Sequence, residues 1–165
     1  MIICTRIDDR LIHGQVVEGW VNYLKATCIL VADDRVASNP LQCSILELAV
    51  PQGLKVFIGR VEEICAKART AALDAERIIL LFSNPADVLH AMKNGMDCRE
   101  LTIGGMRTVP GKRRILDVLA VDDADVGALQ ELVGMGVKIT IQTVPTQRPI
   151  PFDKVFDACH AGGKK

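Results

Sequence analysis

The run RIDDRLIHGQV, residues 6–16, gathers a titratable ring at His13, a fixed cation at Arg10 and two carboxylates at Asp8 and Asp9. It stands where a strand-like run over residues 1–7 gives way to a helical pattern marked by Val16, Val17, Trp20, Val21 and Leu24. Helix starts leave backbone N–H groups unpaired, so those of Gly14, Gln15 and Val16 can face an anion held at the ring. Gly14 has no Cβ to keep a phosphoryl group from the backbone, and the planar fork of Arg10 can hold two phosphate oxygens at once. Asp8 or Asp9 can accept a hydrogen bond from one ring nitrogen, which fixes the tautomer and leaves the other nitrogen nucleophilic. A histidine so arranged can attack phosphorus and later release the group. Types and spacing alone also fit a plainer reading, with His13 as a surface or capping residue and Asp-Asp-Arg as a solvated turn. His90, inside the helical DVLHAMKNG, and His160, near the chain end, have weaker surroundings and read as structural.

The elements around this run alternate between strand and helix. Strands are expected at residues 1–7, 28–32 (CILVA), 55–58 (KVFI), 77–82 (RIILLF), 100–105 (ELTIGG), 115–121 (ILDVLAV) and 137–144 (VKITIQTV). The run RIILLF is the most apolar and reads as central, whereas VKITIQTV alternates apolar with polar and belongs at or near an edge. Helices fall between them. One begins at Asn39 and Pro40 with Leu41, Ile45 and Leu48 expected inward, one covers 61–73, and one follows Pro85 to Gly95. Another is capped by Asp122 or Asp123 and ends at Gly136, and a short helix closes the chain. This order predicts an α/β fold: an open, doubly wound, mostly parallel sheet of about seven strands with helices on both faces, in one domain over 1–165. Ligands collect at the carboxyl ends of strands in such sheets, and DDRLIH is the first loop there.

Bulk properties exclude several classes of function. The 20 basic and 20 acidic residues cancel, so no global field favours nucleic acid or an anionic membrane. Apolar runs such as IILLF are too short to span a bilayer, and the start of the chain lacks a signal-peptide core, so a cytoplasmic location is the default. The six cysteines form no CxxC, and no two stand closer than Cys28 and Cys43, so they read as reduced, mostly buried thiols and no metal is expected. GGMRTVPGKR spaces its glycines wrongly for a phosphate-binding P-loop and has Arg113 where Ser or Thr is needed. The short IGG and GMG runs are no dinucleotide fingerprint, so no nucleotide cofactor is expected. Arg107, Lys112, Arg113 and Arg114 read as a solvated loop, with an acidic partner as the alternative.

RIDDRLIHGQV followed by Trp20 resembles the opening motif of the mannose/sorbose-class enzyme IIB subunits of the bacterial sugar phosphotransferase system. LLFSNPADVLHAMKNG, LTIGGM, VDDADVGALQELVGMGVKI and QTVPT resemble that family in the same order, so the likeness covers nearly the whole chain. It implies a cytoplasmic α/β subunit that takes a phosphoryl group from the histidine of a IIA partner and passes it to a sugar arriving through IIC and IID membrane subunits. His13 matches the phosphorylated histidine, Arg10 the arginine that neutralises the group, and Asp8 and Asp9 the acidic pair. The family implies phosphate on Nδ1, with Nε2 held by a neighbour or water. No cofactor is implied, and homo-oligomerisation is left open. Ser83 and Asn84 after the fourth strand, Gly104 and Gly105 after the fifth, and Arg6 are candidate rim residues, with capping and tight turning as their alternative. VADDRVASNP and LAVPQGLKV depart from the DEVA-like and APPG runs of relatives, and neither departure touches His13. Two rival readings remain: a regulatory phosphocarrier that moves no sugar, and a doubly wound domain that binds a small molecule without a covalent step.

Overall fold

In a computed structural model describing residues 1–160, the main sheet has seven strands in the order β3-β2-β4-β1-β5-β8-β9. These are β1 (Ile2–Asp8), β2 (Cys28–Ala32), β3 (Lys55–Gly59), β4 (Ile78–Phe82), β5 (Glu100–Gly105), β8 (Lys138–Ile141) and β9 (Ile150–Pro151). All pair in parallel except β9, which runs antiparallel to β8. Every residue of β2 and β4 is buried, as strands covered on both faces require. VKITIQTV supplies β8, one strand in from the edge, in line with its alternating pattern.

Helix α1 (Gln15–Val21, then Asn22–Leu24), the short α2 (Asp34–Ala37) and α3 (Pro40–Leu48) cover one face. Helices α4 (Val61–Ala68), α5 (Pro85–Lys93) and α6 (Asp123–Gly134) cover the other, and α7 (Asp153–His160) contributes Cys159 to that side. Asn39 and Asn84 each cap a helix that begins with proline, and Asp122 forms a capping box with Asp125.

Three expectations need correction and a fourth is refined. The run 115–121 is not a strand of the main sheet but a separate antiparallel hairpin, β6 (Arg113–Leu116) with β7 (Leu119–Val121), because Asp117 and Val118 turn the chain. The helix expected over 61–73 ends at Ala68 and is followed by a single 3₁₀ turn, Ala71–Leu73. In α3, Leu41, Ile45 and Leu48 are exposed while Leu46 is buried and Cys43 packs against the core. Two apolar stripes at helical spacing compete there, and the Cys43 thiol bonded to the Val36 carbonyl marks the one that faces inward. Finally, Gln15–Val21 is wound as a π-helix rather than an α-helix, although Val16, Val17, Trp20 and Val21 are buried as expected.

The sheet positions the site through two neighbouring strands. The chain leaves β1 for the face covered by α1, and leaves β5 to build α6 on the opposite face. Their carboxyl ends therefore mark a topological switch point, the usual place for a ligand in an open α/β sheet. The β1–β5 register slips between Ile7↔Ile103 and Asp8↔Gly105, so Gly104 is left without a partner across the pair.

Candidate functional site

Side chains two apart on a strand share a face, so Arg6 and Asp8 of β1 project together, and both are fully buried. Arg6 Nη2 lies 3.1 Å from Asp8 Oδ2. The guanidinium also donates to the carbonyls of Gln142 and Thr143, each at 2.9 Å, and packs 5.0 Å from the Trp20 ring centroid. Trp20 Nε1 donates to the same Thr143 carbonyl at 2.9 Å. The guanidinium occupies the space opened by the Gly104 bulge: a Cβ there would sit 1.7 Å from Arg6 Nη2. Glycine at 104 is thus a steric requirement of the arginine.

After Asp8 the chain reverses through Leu11, a buried residue held at φ +56°, with Leu11 N–H bonded to the Asp8 carbonyl at 2.9 Å. A non-glycine residue in the left-handed region is uncommon, and burial of Leu11 and Ile12 against α1 offsets the strain. This turn swings His13 back over β1. His13 Nε2 lies 3.0 Å from Asp8 Oδ2, a short but bent contact, since Nε2 is buried without an in-line acceptor. On the other side of the ring, Nδ1 accepts the Gln15 N–H at 3.3 Å. The ring is therefore ordered with Nε2 as N–H toward a carboxylate and Nδ1 as the bare nitrogen at the start of α1.

Burial pushes the Asp8 carboxyl upward, but contact with His13 and the charges of Arg6 and Arg10 outweigh it and hold it below the ordinary range. Asp8 thereby contributes stability that is present above the ordinary carboxylate range and lost as pH falls through its lowered value. Burial lowers the Arg6 guanidinium, and Asp8 opposes that. Arg10 closes the group on the solvent side: its Nε is 3.5 Å from Asp8 Oδ1, and its Nη2 donates to Gln15 Oε1 at 2.7 Å. A Cβ on Gly14 would have nothing within 4 Å, so the space over the helix start is open beside Nδ1 and Arg10. Such an arrangement can present a neutral imidazole nitrogen to an electrophile and offset the positive charge the ring gains on bonding.

Residues 2–163 match the model of the family described as "PTS system sorbose subfamily IIB component". The chain belongs to the sorbose-type IIB family of the phosphotransferase system. Among this family's members, it is 34% identical over 155 residues to the N-acetylgalactosamine-specific phosphotransferase enzyme IIB component 2 of Escherichia coli K12, covering 94% of this chain and 98% of the relative. It is 36% identical to the sorbose-specific EIIB component of Klebsiella pneumoniae, covering 87% of each. The solved IIBSor domain of the sorbose permease from that organism superposes with a TM-score of 0.90 at 32% identity, covering 96% of this chain and 97% of that one. A IIB protein is a component of a sugar phosphotransferase system, and the mostly parallel α/β sheet is the fold of this family.

Within this IIB chain the remaining site candidates divide. Asp9 is not a partner of the ring. Its Oδ2 accepts both the backbone N–H and the Nε of Arg107 at 2.9 Å, and its own N–H donates to the Gly105 carbonyl, so it clamps the segment after β5 to the end of β1. Of the three N–H groups expected to face an anion, that of Val16 bonds the His13 carbonyl at 3.0 Å and that of Gln15 bonds His13 Nδ1 at 3.3 Å, leaving that of Gly14. Arg6 and Gly104 are not rim residues; both are buried, packed against each other. Ser83 and Asn84 sit on the adjoining loop but serve caps: the Ser83 hydroxyl donates to Asp33, the N-cap of α2, and Asn84 accepts the Asp87 N–H at 2.9 Å. Each base of the loop has a carboxylate partner, Arg107 in Asp9, Lys112 in Asp125, Arg113 in Asp123 and Arg114 in Asp117, while the Arg107 and Arg114 side chains stay exposed. His90 meets Glu62 and His160 meets Gln130, both on helix surfaces. Among the described residues no group of three His, Cys, Asp or Glu is placed to hold a metal ion, and no helix is long and apolar enough to cross a membrane.

Asp9→Ala is expected to speed hydrogen exchange at the Arg107 amide while costing at most about 1 kcal/mol, because the Arg107 side chain is largely solvated. Loss of His13 reactivity in that variant would reverse the assignment of the two aspartates.

Proposed function

We propose that this chain is one IIB domain over residues 1–165 that works as a phosphocarrier. His13 Nδ1 takes a phosphoryl group from the phosphohistidine of a IIA partner and donates it to a sugar delivered through IIC and IID membrane subunits, on the cytoplasmic side. The observation that supports this reading best is the ordered ring: Nε2 held 3.0 Å from buried Asp8, with Nδ1 turned to the start of α1. The mannose-specific EIIAB component of Escherichia coli K12, 31% identical over 141 residues, carries by its name a IIA part beside its IIB part, which favours a IIA partner here.

In the transfer, the His13 Nδ1 lone pair forms the new N–P bond as the donor's N–P bond breaks, and the donor nitrogen keeps that electron pair. The ring gains positive charge, which the Asp8 carboxylate offsets through Nε2–H. The Gly14 N–H, the Gln15 N–H that Nδ1 releases as its lone pair bonds phosphorus, and the Arg10 guanidinium meet the phosphoryl oxygens, so placement and charge do most of the work. Arg10→Ala is expected to slow transfer by about 10²-fold while leaving the fold intact, since Arg10 is partly exposed and its loss exposes no core. An unchanged rate would remove Arg10 from the mechanism.

The reading is tested by incubating the chain with phosphoenolpyruvate, the general phosphotransfer proteins and a matching IIA, then adding membranes that contain IIC and IID with a sugar panel. The expected result is an acid-labile gain of one phosphoryl group on the His13 peptide, discharged onto one sugar. No labelling would favour the non-covalent binding domain. Labelling that no sugar discharges would favour the regulatory carrier.

A further inference from the structure

We infer that Arg6 is a positioning residue for His13: from full burial it holds the Asp8 carboxylate in the orientation that keeps Nε2 protonated and Nδ1 bare. The inference rests on the phosphocarrier reading only for what Nδ1 then does. A guanidinium needed solely to balance a charge could stand in solvent, as Arg10 partly does. Arg6 instead is built in: a bulge at Gly104 makes room for it, two carbonyls after β8 fix its Nη1 and Nη2, and Trp20 covers it. The same Asp8 oxygen, Oδ2, that meets Arg6 Nη2 at 3.1 Å meets His13 Nε2 at 3.0 Å, while Oδ1 faces Arg10. Arg6 therefore acts on the ring through one shared atom.

The charges facing this atom are few. Arg6 comes from β1, and Arg10 and His13 from the loop; Cys4 of β1 is near enough to act on Arg6. The groups that hold Arg6 from the segment after β8, from α1 and from β5 are Gln142 and Thr143 carbonyls, the uncharged Trp20 and the side-chain-free Gly104. With Arg6 neutralised, burial favours a protonated Asp8. A protonated carboxyl donates its O–H, so it would meet a bare Nε2, and the ring proton would move to Nδ1 at the cost of the weak 3.3 Å bond from the Gln15 N–H, blocking the nucleophile.

The test reads the ring directly. The ¹⁵N shifts of His13 are recorded on the unphosphorylated full chain across neutral pH for wild type, Arg6→Met and Arg6→Lys, with melting temperature alongside. Wild type is expected to hold the Nε2–H tautomer. Arg6→Met should move the tautomer ratio toward Nδ1–H by about tenfold or more, with transfer from IIA slowed in step, and Arg6→Lys should restore Nε2–H. An arginine that served structure alone would lower the melting temperature without moving the ratio. Should Arg6→Met not fold, Arg6→Gln, which keeps a donor but no charge, is expected to show the same shift. A folded neutral variant that stays Nε2–H, or a lysine variant that loses it, overturns the inference. Because no phosphate is involved in the tautomer measurement, absence of labelling in wild type would sink the phosphocarrier reading and leave this result standing.

Discussion

The His13→Gln chain is expected to take up no acid-labile phosphoryl group from phosphorylated IIA, a fall of at least about 10³-fold, because removing a nucleophile removes the covalent step itself. Glutamine lacks a basic ring nitrogen, yet its amide N–H can still reach Asp8, so the buried carboxylate keeps a donor. Stability should change by only about 1 kcal/mol, and the loss will therefore read as chemistry. The measurement is mass spectrometry before and after mild acid. Retention of the label would direct the search to another residue, and the two other histidines are poor substitutes. His90 and His160 lie on helix surfaces, away from the carboxyl ends of β1 and β5.

The second large effect is expected at a position with no reactive atom. In Gly104→Ala the new methyl would lie 1.7 Å from Arg6 Nη2 and 2.0 Å from Cζ, so the guanidinium has to leave its seat. It would then lose two carbonyl acceptors, and the buried Asp8 would lose its buried cation. Breaking such a pair costs about 3–5 kcal/mol, which for a chain of this length lowers the melting temperature by on the order of 10 °C. Gly105→Ala is the control: its Cβ would meet Asp8 Oδ1 at 3.6 Å and Arg10 Nη2 at 3.8 Å, ordinary contact distances. That variant should melt within a few degrees of wild type. Equal melting temperatures for the two alanines would mean that the arginine does not depend on the bulge.

Sequence patterns were most informative where burial is uniform. CILVA and IILLF have no polar position to hide, so their place inside a parallel sheet was plain, and paired cap residues such as Asn39–Pro40 and Asn84–Pro85 marked helix starts well. Patterns failed where two solutions share one period. The apolar residues of α3 fit either stripe, and only tertiary contact with Val36 selects the Cys43 side. ILDVLAV reads as one strand because its turn is carried by two residues with no glycine or proline. The grouping in the first loop was legible as well: types and order in RIDDRLIHGQV suggested that a ring, a carboxylate and an arginine gather there, and His13, Asp8 and Arg10 do lie together. Its foundation was not. That Asp8 rather than Asp9 meets the ring follows from which carboxylate shares a strand face with Arg6, and the alternation of a charged pair inside a central strand could have signalled it. Gln142 and Thr143 act through backbone carbonyls, which leave no trace in side-chain chemistry.

The place of β1 in the sheet also sets an order of assembly. Residues 2–8 precede the other described strands of the sheet in sequence, yet they lie mid-sheet between β4 and β5 and are anchored by carbonyls beyond β8. The buried Arg6–Asp8 pair is therefore complete only once the segment after β8 is in place. Long-range closures of this kind are slow and leave edges open meanwhile. His13 and Asp8 thus precede in the sequence the segment whose carbonyls hold their arginine, so the order of the loop waits on closure of the sheet.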